Sequence, residues 1–160
     1  MTVAARLIVL LLTSTALIAL IAVSALAVRR GRIVITVRGS SMAPALGDGD
    51  VLIGRRVDPA ALRAGQVVLV EKPSPLGGWH WPQREGPLAR RTWMVKRLAA
   101  LPGDPVPDAV AGCLPAPPPA FVPEGLLVVI GDNTEASVDS REFGFVPLRA
   151  VLGVQLRDRG

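Results

Sequence analysis

Residues 32–44 read RIVITVRGSSMAP, and this stretch decides the fold. β-Branched side chains fill positions 33–37, a composition suited to a pleated strand, and the run then breaks at Gly39-Ser40-Ser41 and Pro44. An extended segment therefore feeds straight into a small-residue turn that carries two serines. Toward the C-terminus the same grammar repeats. Residues 50–55 (DVLIGR), 65–71 (GQVVLVE), 92–98 (TWMVKRL) and 126–130 (LLVVI) are short apolar runs bounded by glycine, proline or polar residues. A body built this way is expected to be mainly β. Residues 72–90 have no periodicity and read as a surface loop. The span from Pro102 to Pro123 holds eight prolines, including Pro117-Pro118-Pro119, and cannot supply a central strand. The chain contains no internal repeat.

Working outward in the other direction, residues 7–28 (LIVLLLTSTALIALIAVSALAV) are 22 residues without a charge. As a helix they extend roughly 33 Å, enough to cross the hydrocarbon core of a bilayer. Ala25-Leu26-Ala27 has the small-x-small form of a cleavage site, but the run exceeds the roughly 7–15 residues of a cleavable signal. The length favours a membrane anchor over residues 1–28, followed by one globular domain over residues 29–160. Arg29, Arg30 and Arg32 follow the anchor while Arg6 precedes it. By the positive-inside rule that asymmetry places the body in the cytoplasm.

The chain has 160 residues, half of them hydrophobic, with 16 glycines and 15 prolines, which leaves room for a single loop-rich core. The net charge of +5 arises almost wholly from arginine spread along the chain. Without a basic cluster interleaved with aromatics, that pattern argues against nucleic-acid binding and fits contact with anionic headgroups. A single cysteine, Cys113, excludes an intramolecular disulfide. No cluster of metal-ligand residues stands out, and no cofactor is expected.

Hydrolysis by a serine requires a base. The lone histidine, His80, sits between Trp79 and Trp81 in the irregular segment, where no local motif gives it a nucleophile. Lysine can serve when desolvation lowers its pKa from about 10.4 toward neutrality. Strand alternation over residues 92–98 puts Lys96 on one face with Met94 and Leu98, opposite Trp93, Val95 and Arg97. Periodicity alone leaves two readings of Lys96 open, burial between apolar neighbours and snorkelling to solvent.

Three groups of residues, taken together, go further: Gly39-Ser40-Ser41-Met42-Ala43-Pro44 with Gly49-Asp50, Val95-Lys96-Arg97 with Pro102-Gly103-Asp104, and Gly131-Asp132-Asn133 with Ser137-Val138-Asp139-Ser140-Arg141. In this order, behind one apolar N-terminal segment, they resemble the conserved boxes of the signal peptidase I family. The resemblance implies a signal-peptidase-type antiparallel β domain with one N-terminal transmembrane helix. It also implies a single-pass protein of the cell membrane, with its catalytic domain on the extracytoplasmic side, against the arginine asymmetry. The substrates implied are signal-peptide-bearing preproteins cut after small residues. Ser41 matches the nucleophile and Lys96 the general base. Ser137 matches a serine whose hydroxyl hydrogen-bonds and orients the lysine, Asp139 and Arg141 match a structural ion pair, and Met42 matches a residue lining the substrate cleft. The oxyanion site implied uses the Ser41 N–H and a donor from position 39. Gly39 has no hydroxyl, as in the short Gram-positive form, so a second side-chain donor must come from elsewhere.

Departures from the family pattern are Ala45 in place of threonine, Ala100 in place of glycine, and Thr134-Glu135-Ala136 in place of Arg-Asp-Asn. None removes a catalytic group, and they bear on substrate range more than on chemistry. Two other readings are a dedicated maturation protease of the same superfamily and a catalytically inactive, membrane-tethered binding module.

Overall fold

The computed structural model describes residues 13–15, 17–21, 31–73, 79 and 92–156. The chain divides into two compact units, Met1–Arg32 and Ile33–Gly160. In the first, the described residues 13–15 and 17–21 are helical, and Leu17, Ile18, Leu20 and Ile21 are exposed. Among the described residues no helix is long and apolar enough to cross a membrane. Most of the expected 7–28 span lies outside the described residues, as do His80 and nearly all of the 72–90 loop.

The apolar runs of the second unit become strands because each finds partners that bury its alternating face. These are β1 (Arg32–Thr36), β2 (Val51–Arg55), β3 (Val67–Glu71), β4 (Trp93–Ala100), β5 (Leu126–Ile130), β6 (Val146–Pro147) and β7 (Val151–Gln155). They form one sheet in the order β1-β2-β7-β3-β4-β5-β6. The pairings from β2 through to β6 are antiparallel, in agreement with the mainly β, antiparallel expectation. β1 and β2 keep one face in solvent and alternate in exposure, whereas β3 is buried on both faces over residues 67–70. A strand covered on both sides must be apolar at every position, which is why VVLV lacks the alternation of its neighbours.

Three hydrophobic clusters follow. The largest gathers Val68 and Val70 of β3 with Leu98, Leu127, Val129, Val146 and Val154. A second places Val37, Met42, Leu52 and Val67 together beneath the serine turn. A third packs Val110 of α1 (Asp108–Ala111) and Val122 against Ala100 and Val128. The proline-rich segment thus contributes no central strand, as expected, but it does make a one-turn helix and an isolated bridge between Pro105 and Phe121.

Candidate active site

Alternation along β4 carries Lys96 inward. Its backbone stands directly across from Val68 of β3, and its side chain is 3% exposed. The serine turn reaches this lysine from the other side. The Ala43 N–H donates to the Ser40 carbonyl and the Leu46 N–H to the Met42 carbonyl, so the chain bends tightly at 40–46. Met42, 1% exposed, points down into the cluster of Val37, Leu52 and Val67, while Ser41 stays half-buried above it. The residue expected on a cleft wall is therefore a core residue. Its apolar side chain fastens the turn to the sheet by burial, and that fixes its neighbour Ser41 in place.

Lys96 Nζ donates to Ser41 Oγ at 2.9 Å. Burial pulls the Lys96 pKa below its ordinary 10.5, because an ammonium loses hydration there. Asp139 opposes this shift and Arg141 reinforces it. A serine hydroxyl against a desolvated amine is a nucleophile–base pair in arrangement, with a proton able to move between the two atoms. Among the described residues the Ser41 backbone N–H has no hydrogen-bond partner, which leaves a donor free beside the nucleophile.

Behind the pair lies a polar network. Asp139 is wholly buried and accepts from Arg141 Nε at 2.9 Å, Arg141 Nη2 at 2.8 Å, the Gly131 N–H at 2.8 Å and Ser137 Oγ at 2.7 Å. It also caps α2 (Ser140–Phe143), accepting from the Arg141 N–H while Glu142 reaches back to the Asp139 N–H in a capping box. Burial alone would raise the carboxyl's pKa. The hydrogen bonds from Arg141, Gly131 and Ser137 outweigh it and hold the group at about 2. Ser137 therefore directs its proton to Asp139. The lysine contact implied for Ser137 is not among the hydrogen bonds of the described residues, where Lys96 is joined to Ser41. Donating to Asp139 still leaves the Ser137 oxygen its lone pairs as acceptors.

The turn after β5 closes the site. The Asn133 N–H donates to the Ser41 carbonyl at 3.1 Å. A Cβ on Gly131 would overlap both the Ser137 hydroxyl and the Ser41 carbonyl, so only glycine lets the three segments meet. Arg97, on the opposite face of β4 from Lys96, grips this turn through Asp132, with Nε to Oδ1 at 2.7 Å and Nη2 to Oδ2 at 2.5 Å. Its third contact is to the Gly65 carbonyl at 2.8 Å. Arg97 and Asp132 stand in two of the ordered boxes without a role implied for either. Opposite charges 35 positions apart carry no local signal that they will pair. Gly39 lies at the rim, with its N–H donated to Asp48 Oδ1 at 2.7 Å.

Comparison with known proteins places the chain in a family. A family model described as "Signal peptidase, peptidase S26" matches residues 5–114 and 107–156, nearly the whole chain. The chain belongs to the signal peptidase S26 family. No curated protein matches it. Among solved structures, a signal peptidase I from Enterococcus faecalis V583 is 26% identical, the alignment covering 58% of this chain and 97% of that one, with a TM-score of 0.36. Membership of the S26 family makes the protein a peptidase, a hydrolase of peptide bonds. It also gives the grouping of Ser41, Lys96, Ser137, Asp139 and Arg141 a chemical context that a fold alone would not supply. Among the described residues no group of His, Cys, Asp and Glu is arranged to hold a metal ion.

Proposed function

We propose that this S26 peptidase is a membrane-bound serine endopeptidase that removes signal peptides from exported preproteins by cleavage after small residues, with Ser41 as nucleophile and Lys96 as general base. The observation that carries the reading is the 2.9 Å approach of Lys96 Nζ to Ser41 Oγ in a setting that leaves the lysine 3% exposed and lowers its pKa. A lysine exposed to water is an ammonium at neutral pH and cannot accept a proton.

In this mechanism Ser41 Oγ attacks the scissile carbonyl carbon while its proton passes to neutral Lys96 Nζ. The Ser41 N–H, which has no hydrogen-bond partner among the described residues, serves as a donor to the oxyanion that forms. The C–N bond breaks as the Lys96 ammonium returns that proton to the leaving amine. Lys96, neutral again, deprotonates a water that attacks the acyl-enzyme ester, releasing the new carboxyl terminus and restoring the Ser41 hydroxyl. Asp139 and Arg141, paired with one another, hold the 137–141 segment against the lysine. The apolar 7–28 segment would tether the enzyme in the membrane that holds its substrates and raise their effective concentration. The proposed orientation sets the 29–160 domain on the extracytoplasmic side, with Arg29, Arg30 and Arg32 against lipid headgroups.

The test is cleavage of several unrelated signal-peptide-bearing precursors by the detergent-solubilised protein, beside Ser41→Ala and Lys96→Ala, with sequencing of the new N-terminus. Cleavage after a small residue, abolished by both substitutions, is the expected outcome. Cleavage of a single precursor only would point to a dedicated maturation protease, and cleavage that survives both substitutions would end the dyad reading.

A further inference from the structure

The turn that carries Ser41 begins at Gly39, whose φ is +81°. Glycine enters that left-handed region without steric cost, but nothing in glycine itself keeps it there, since the mirror basin is equally open. No side chain lies within 4 Å of where a Gly39 Cβ would be, so packing does not hold the residue either. Two residues further on, Ser41 Oγ must stay at hydrogen-bonding distance from Lys96. A rotation about the Gly39 backbone would swing Ser40 and Ser41 together and open that distance.

The contact that holds Gly39 comes from nine residues downstream. Asp48 Oδ1 accepts the Gly39 N–H at 2.7 Å. Asp48 is itself held in place by its neighbours. The Gly49 N–H donates to the Val37 carbonyl at 3.0 Å, and the Val37 N–H to the Asp50 carbonyl at 2.8 Å, which closes the neck of the 38–49 loop. The Asp50 side chain accepts from the Gly47 N–H at 2.7 Å and stiffens the turn in which Asp48 sits. The loop is thus anchored at its neck by backbone pairing and at its base by Met42 in the core. Its glycine hinge is secured by one carboxylate.

We infer that Asp48 is a positioning residue for the Ser41 reaction, acting by clamping the Gly39 N–H so that the nucleophile is presented to Lys96. The inference rests on the dyad reading above. It gives Gly39 a second consequence: with its N–H donated to Asp48, that group is not available to an oxyanion.

The experiment compares wild type, Asp48→Ala and Asp48→Asn in cleavage of one precursor, with kcat and KM separated, together with thermal midpoints and the amide exchange rate at Gly39. Asparagine keeps a side-chain oxygen able to accept the same N–H, whereas alanine does not. The expected result is a kcat for Asp48→Ala lower by roughly 10-fold with KM within about twofold of wild type, faster Gly39 exchange, and near-normal kcat in Asp48→Asn. Wild-type kcat in Asp48→Ala would overturn the proposal, and so would an equal fall in both variants, because the effect would then follow the charge and not the hydrogen bond. Should Asp48→Ala not fold, an unprotected Gly39 amide in wild type would overturn it and a protected one would sustain it. A failure of the dyad reading looks different, since wild type and Ser41→Ala would then behave alike.

Discussion

Lys96 owes its low proton affinity to the strand that turns it inward, and a substitution at this one position separates charge from volume. Lys96→Met keeps the apolar stem and removes the buried amine, so it should fold with a stability within about 1 kcal/mol of wild type or higher, while cleavage falls at least roughly 100-fold. Thermal melts and cleavage assays on one preparation check both. The pH dependence has a fixed sign. Because the folded-state pKa of Lys96 lies below 10.5, the unfolded chain binds more protons between the two values, and stability contributed by this group rises with pH across that window. Activity should show an ascending limb for the same proton, displaced to lower pH than an ordinary lysine, and Lys96→Met should abolish the limb along with the rate. Asp139 has the same sign in a more acidic window. Held at about 2 against an ordinary 3.8, it stabilises the fold above pH 3.8 and loses that contribution as pH falls toward 2. A difference of that size corresponds to roughly 2 kcal/mol, so the stability gap between wild type and Asp139→Asn should narrow by about that amount across the interval, as read by denaturant unfolding at a series of pH values. The inward turn of Lys96 was legible as alternation with Met94 and Leu98, but which of two readings held depended on partners that no local pattern reveals. The resemblance gave Met42 a place lining the substrate cleft but not its burial in the core, since the direction of a residue at a turn depends on hydrogen bonds between 40 and 46 that sequence does not display.

Among the elements, the turn after β5 is where three segments converge, and it is the least tolerant. Gly131→Ala places a methyl against Ser137 and the Ser41 carbonyl. Overpacking of that kind costs about 1–3 kcal/mol, and relief by moving Ser41 away from Lys96 should lower kcat by roughly 100-fold. A thermal melt paired with kinetics would see both. The strands β1 to β5 were legible because each joins an apolar run to a turn signal. β7 was not. Its sequence, VLGVQ, is interrupted by Gly153, and its pairing with β3 contains a register shift opposite that point, between Leu69 and Val70. A bulged strand with glycine at its middle has the local signature of a turn. The helix α1 was hidden among prolines for a similar reason, as Pro107 serves as its N-cap residue and so sits where a helix tolerates it.

For the molecule as a whole, every member of the three hydrophobic clusters among the described residues lies at position 35 or beyond, so the described core is drawn from the second unit. Deleting residues 1–28 should therefore leave the thermal midpoint nearly unchanged and shift the protein from the membrane pellet to the supernatant, which fractionation followed by a melt would establish. The mainly β class and the ordered boxes could be read from sequence, but the strand order could not, because it depends on a long-range insertion. β7 lies between β2 and β3. Ser41 belongs to the segment between β1 and β2, Lys96 to β4, and the sheet joins those halves through its last strand. Translation delivers that strand after the other six. A nascent chain carries Ser41 and Lys96 on two sub-sheets with no strand yet between them, so the proposed dyad comes together only after residues 151–155 have left the ribosome.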